Sequence, residues 1–341
     1  MYRIAKNRLP QLYARMGTLG DLFLPVKQGG KTNYALWQAG MEGDLDTLKT
    51  VRSPKDVFFP QSENLYTCHR QDGKISVETE QLQTRPFVVF GVRGCDVQGF
   101  AVLDRVFLSD PVDSFYAARR AQGTVVSLAC GRPEASCFCG LFGIDCAAPQ
   151  GDVVTWLTED SLYWQPKTEK GLALTEKLAD LLEESDETAV LALQETIREI
   201  CSRLPLKDLS LEGWGQEAAK TRFDSPLWEQ LSGACLACGT CTFVCPTCQC
   251  YDIKDYDTGN GVQRYRCWDS CMYSDFTMMA HGNNRTTQMQ RFRQRFLHKL
   301  AYFPANNEGM FSCVGCGRCV DKCPSHLNIV KVIKAFQKEE N

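Results

Sequence analysis

Thiol is the reactive group this chain carries in excess, with nineteen cysteines in 341 residues. Eight of them fall into two copies of one pattern. Cys235, Cys238, Cys241 and Cys245 read C-x2-C-x2-C-x3-C-P, and Cys313, Cys316, Cys319 and Cys323 in "CVGCGRCVDKCP" repeat it. Three thiolates at this spacing wrap one corner of an iron–sulfur cube, while Gly239, Gly315 and Gly317 let the backbone come close enough for N–H···S bonds. In paired motifs of this kind the fourth cysteine serves the other cluster. The expected ligand sets are therefore Cys235, Cys238, Cys241 and Cys323 for one [4Fe–4S] cluster, and Cys245, Cys313, Cys316 and Cys319 for the second. Zinc sites use two C-x2-C pairs rather than triplets with a trailing C-P, so the spacing argues against them.

A second constellation lies in the first half. Cys95 follows the apolar run "FVVFGV", Cys130 ends "GTVVSLAC", and Cys137 and Cys139 come soon after in "SCFC". If the two runs are parallel neighbouring strands, Cys95 and Cys130 converge on the ligand edge of an α/β sheet, and a short loop returns the other two to the same place. Four thiols there suit a third [4Fe–4S] cluster or a structural zinc, and the alternative is separate buried cysteines acting as small hydrophobes. Cys248, Cys250, Cys267 and Cys271 are left over, either as a fourth soft-ligand site or as thiols packed beside a cluster, the commoner role. Cys68, Cys146 and Cys201 are isolated in sequence and receive no chemistry.

The elements that must hold these residues divide the chain in three. Residues 1–165 read as α/β, because a strand at Arg85 to Val92, a helical pattern through Val97, Phe100, Ala101 and Leu103, and a second strand make a βαβ unit. Residues 166–213 read as a helical connector. Residues 214–341 are expected to form an α-helical two-cluster ferredoxin-like domain: Met289, Phe292, Phe296, Leu297 and Leu300 share a helix face, as do Ile329, Val332, Ile333 and Phe336. Little strand signal follows Pro226. Sixty-seven residues separate Cys245 from Cys313, more than a compact β-hairpin ferredoxin needs.

Composition narrows the function. The formal net charge of −3 gives no global pull toward nucleic acid. Locally, Phe276 to Asn307 holds no acid and five bases, Arg285, Arg291, Arg293, Arg295 and Lys299. That run is most simply a solvated helix face; it would otherwise offset cluster charge or dock an acidic partner. His281 is read as a loop histidine. No apolar run reaches the ~18 residues of a membrane span, and no secretory segment opens the chain, so a cytoplasmic location with reduced thiols is expected. There is no G-x-G-x-x-G, P-loop, G-x-S-x-G or H-E-x-x-H, hence no catalytic residue to name.

Taken together, "GVRGCD", "SCFC", "LWEQLSGACLACGTCTFVCPTCQCYD", "WDSCM" and "MFSCVGCGRCVDKCP" resemble the iron–sulfur subunits typified by the anaerobic sulfite reductase A subunit and the sulfhydrogenase beta subunit. The resemblance implies a subunit that carries electrons in an anaerobic oxidoreductase complex. It would work between a flavin-containing, NAD(P)H-oxidising subunit and a separate catalytic subunit of sulfite reductase or hydrogenase type. It also favours a third cluster on Cys95, Cys130, Cys137 and Cys139. Two rival functions follow from the residues: a reductase whose N-terminal cluster acts directly on a substrate, and an interaction subunit whose metals are structural.

Overall fold

A computed structural model describes residues 1–339. In chain order the strands of the two larger sheets are β1 (Tyr2–Ala5), β2 (Asp21–Gln28), β3 (Lys31–Leu36), β4 (Ser62–Gln71), β5 (Lys74–Thr79) and β6 (Phe87–Val92), then β7 (Gly123–Leu128), β8 (Val153–Leu157), β9 (Ser161–Pro166), β10 (Glu183–Glu184), β11 (Tyr251–Asp257) and β12 (Gly261–Trp268). Eight of them form one mixed sheet in the order β10-β1-β9-β8-β7-β6-β2-β3. Its centre, β2-β6-β7-β8, is parallel, and both flanks are antiparallel. The strand–helix–strand reading of residues 85–130 is thus met by the parallel pairing of Phe87 through Phe90 with Gly123 through Val126.

Parallel strands must be covered on both faces, and β6 accordingly buries all six residues. Val88 and Phe90 pack with Leu12, Tyr13 and Met16 of the Leu9–Leu19 helix. Phe87 and Val89 face Phe100, Leu103 and Phe107 of the Gly94–Phe107 helix. Gly91, at φ +79, sits where the register with β7 shifts, which puts Val92 on the Phe87 and Val89 side. The strand therefore ends pointing Arg93 and Cys95 over the sheet edge.

The second half holds the expected helical core. Phe292, Phe296, Leu297 and Leu300 pack against Ile329, Val332, Ile333 and Phe336, with Trp228 and Leu231. The Gln288–Leu297 helix opens on a capping box formed by Thr287 and Gln290 and runs into a π-helical turn, His298–Tyr302. The expectation of little strand after Pro226 is corrected: β11 and β12 form a hairpin in a four-stranded sheet ordered β11-β12-β4-β5. The insert between the cysteine motifs therefore pairs with residues 62–71. Apolar alternation was absent because much of this hairpin is solvent-facing, and Arg264 instead bonds Asp255 across the strands through Nε and Nη2 at 2.6 and 2.7 Å. The readable signal was the Gly259-Asn260 turn, closed by the Thr258 N–H donating to the Gly261 carbonyl.

Candidate metal centres

Cys95 lies in the first turn of the Gly94–Phe107 helix, directly after β6, and Cys130 lies just past β7. Cys137 and Cys139 reach the same sheet edge from the following loop. All four line one cavity of about 260 Å3, whose other walls include Phe138, Leu141 and Ile144. Arg93 braces this edge from beneath, donating to the carbonyls of Leu45, Thr47, Leu48 and Ala129 at 2.7 to 3.2 Å. Burial pushes the Cys130 thiol up to about 12 and holds Cys95 well above the ordinary range. Without metal these groups are therefore thiols, and metal binding must displace their protons.

Two cysteines to which sequence reasoning gave no role enter the same cavity. Cys146 comes from the loop before β8, and Cys201 is the last residue of the Thr188–Cys201 helix. Their sulfurs stand 3.2 Å apart. That helix packs Val190 and Ile197 onto Trp156 and Tyr163, which brings its end to the cavity. Fifty-five positions separate the pair, and no local pattern could have joined them.

The first ferredoxin set also assembles. Cys235, Cys238, Cys241 and Cys323 line one small cavity with Met272, Phe292 and Arg295. The Gln288 amide donates to Cys235 Sγ at 3.5 Å and the Leu327 N–H to Cys323 Sγ at 3.2 Å, the kind of bond that stabilises a thiolate ligand. Cys238 is exposed. In the second set, burial pushes Cys313 up to about 12, and the charge of Cys245 raises Cys313, Cys316 and Cys319 further, so the four sit within electrostatic reach of one another. Cys245 itself is held well below the usual range by a hydrogen bond from Cys248 and by Lys299. Among the described residues no group of three or more His, Cys, Asp or Glu is arranged to hold a single metal ion. Thiols gathered in such cavities fit iron–sulfur clusters, for which Cys is the usual ligand.

The two halves of the thiol system touch. Gly315 and Gly317, at φ +60 and +77, lie so close to the "SCFC" loop that a Cβ would come within 2.4 Å of the Phe138 carbonyl oxygen and 2.5 Å of that of Ser136. The Phe138 N–H donates to the Gly315 carbonyl at 3.0 Å. Cys316 consequently shares the wall of the N-terminal cavity. Arg318, two residues on, makes two bonds to Asp96, at 2.7 and 2.8 Å, and two more to Thr50. Both partners of that ion pair are at most 2% exposed in their side chains.

Buried cations surround these sulfurs. Arg295 and Lys299 are 3% and 4% exposed, so the basic run is not simply a solvated face. Burial alone would lower the Lys299 pKa, but the charges of Cys245, Cys248 and Cys313 outweigh it and hold the ammonium protonated. Its Nζ donates to Thr247 Oγ1 at 2.7 Å and to the Ser312 carbonyl at 3.1 Å. Arg295 answers in the same sense to Cys241 and Cys319 after the opposing effect of burial. Lys55, from the first half, donates to the Cys248 carbonyl at 2.7 Å and lies over the Trp268 ring. Cys248 bonds Cys245, and Cys250 bonds Cys271, beside the second ligand set. Cys267 stays apart on β12 opposite Asp252, Cys68 lies on β4 opposite Val77, and His281 is exposed.

Residues 234–327 match the model of the 4Fe-4S dicluster domain family, a segment that contains both cysteine motifs. Over 333 residues, 97% of this chain and 96% of the relative, the sequence is 31% identical to the sulfhydrogenase 2 subunit beta of Pyrococcus furiosus. Among the described residues no helix is long and apolar enough to cross a membrane. Two cysteine motifs in a dicluster domain, and likeness along almost the whole chain, lead to one conclusion: this protein belongs to the iron–sulfur subunit family of which the sulfhydrogenase beta subunit is a member.

Proposed function

We propose that this iron–sulfur electron-transfer subunit carries three [4Fe–4S] clusters and passes electrons between a flavin-bearing, NAD(P)H-oxidising subunit and a catalytic subunit of hydrogenase or sulfite reductase type, in a cytoplasmic hetero-oligomer. The ligand sets are Cys235, Cys238, Cys241 and Cys323; Cys245, Cys313, Cys316 and Cys319; and Cys95, Cys130, Cys137 and Cys139. When bound, such a cluster supplies one-electron transfer at a potential set by its surroundings within ~−700 to +450 mV. The chain's own residues hold the sulfurs, keep water from the buried sets and supply compensating charge. Lys299, Arg295 and Lys55 favour the more negative, reduced state of whatever the neighbouring thiolates bind.

The observation that supports this reading is the continuity of the sites. Cys316 belongs to the second set yet lines the N-terminal cavity, and Arg295 responds to cysteines of both ferredoxin sets. At the far end Cys238 is exposed, where a partner protein can approach. The test is iron and acid-labile sulfide counting on anaerobically purified protein. About twelve irons per chain are expected at four per cluster, falling to about eight in Cys137→Ala with the ferredoxin pair retained. Eight in the unmodified protein would exclude the third cluster.

A further inference from the structure

The thiols that the three ligand sets leave unused are not equivalent. Cys146 and Cys201 have sulfurs 3.2 Å apart on independent elements, a fixed loop and a helix end, whereas the bonded pair Cys250 and Cys271 flanks a single hairpin. The loop is anchored at Cys146 and the residue after it: the Cys130 N–H donates to the Cys146 carbonyl at 2.9 Å, and the Trp156 indole donates to the Ala147 carbonyl at 2.7 Å. The helix is tied to the same loop by Arg198, three residues before Cys201, which bonds Asp145, one residue before Cys146, at 2.8 Å. An ion pair and a thiol pair thus bridge the same two elements side by side. Cys146 is buried and Cys201 half-buried. Beyond Cys201 the cavity is lined by Leu204, Leu206 and Lys207, and the exposed Arg198 and Lys207 mark its solvent side. A small reagent therefore reaches Cys201 first.

We infer that Cys146 and Cys201 are a redox-active dithiol, a modification site that low-molecular-weight disulfides oxidise reversibly to an intramolecular disulfide across one wall of the N-terminal thiol cavity. The Cys201 thiolate attacks one sulfur of the small disulfide RSSR; the S–S bond of RSSR breaks, and the released RS− takes up the proton that Cys201 has lost. Cys146, as its thiolate, then attacks Cys201 Sγ in the mixed disulfide, expelling the second RS−, which is protonated in turn. One protein dithiol and one RSSR become one protein disulfide and two RSH, so two electrons and two protons pass to the small molecule. The new bond pins the Thr188–Cys201 helix to the Cys146 loop, and excess RSH reverses it. None of the thiols assigned to clusters is consumed, although Cys146 also bonds Cys139 of the proposed third set.

The experiment uses the full-length, cluster-loaded protein with glutathione disulfide as the probe. After anaerobic incubation, free thiols are alkylated and the protein is digested and mapped by mass spectrometry. A Cys146–Cys201 linked peptide is expected, lost on adding reduced glutathione in excess and absent from Cys146→Ser and Cys201→Ser, both of which keep the iron content of the unmodified protein. Alkylation of both residues after oxidation, or glutathione adducts that never resolve to the linked peptide, would overturn the inference. So would loss of about four irons in either serine variant, because the pair would then be cluster ligands. A shortfall in iron in the unmodified protein with the linked peptide present would count against the third cluster alone.

Discussion

Lys299 places an ammonium group within electrostatic reach of Cys245, Cys248 and Cys313, and its charge is uncompensated by any carboxylate among its hydrogen-bond partners, Thr247 and Ser312. Removing that charge by Lys299→Met leaves the negative charge of Cys245 and its neighbours less balanced, so accepting a further electron becomes harder. The potential of the cluster held there should fall on the order of 60 mV, equivalent to about 1.4 kcal/mol for one electron. A redox titration followed by electron paramagnetic resonance measures it, and an unchanged potential would remove Lys299 from the tuning role. The residue was visible in the sequence only as one of five bases in an acid-free run. Its inward direction depends on which helix face meets the core, and the apolar spacing placed Phe292, Phe296 and Leu300 on that face without showing that Arg295 and Lys299 accompany them.

The element that aims these cations is the Gln288–Leu297 helix with its π-helical continuation, since one extra residue in the turn changes which side chains face inward. His298 sits in that turn, packed near Phe303, and its pKa is pushed down to about 4 by burial first and then by Lys299 and Arg285. The sign follows from proton counts. Between the unfolded value near 6.5 and the folded value near 4 the unfolded chain binds more protons, so His298 contributes its full stability above about pH 6.5 and loses it as the pH falls toward 4. The loss amounts to at most about 3 kcal/mol over that window. Denaturant unfolding at pH 7 and pH 5 should show it, and His298→Gln should flatten the difference. At this scale the helices were legible because a 3.6-residue apolar period survives in any helix that packs. The β11–β12 hairpin was not, because its strands are stabilised by partners nearly two hundred residues away in β4 rather than by an apolar face of their own.

Across the whole molecule the decisive contact is Arg318 with Asp96, which joins the second cysteine motif to the "GCD" turn 222 positions earlier. Asp96→Ala leaves a buried guanidinium short of its charge partner and should destabilise the protein by about 3 to 5 kcal/mol, whereas Asp96→Leu combined with Arg318→Met should recover much of that loss. Equilibrium unfolding of the two variants separates these outcomes; equal stability would mean that the pair does not fasten the halves. The spacing of Cys235 to Cys245 and of Cys313 to Cys323 was determined by the sequence alone, because a cluster corner is built by residues so near along the chain that covalent geometry brings their sulfurs together. The convergence of Cys95 and Cys130 was legible one step further out, through the rule that parallel strands end side by side. What only the tertiary structure decided was everything that depends on distant surfaces meeting: Cys316 in the wall of the N-terminal cavity, the burial of Lys55, Arg295 and Lys299 near the cysteine motifs, and Cys146 against Cys201. Those contacts come from packing between elements far apart in the chain, and no local spacing records them.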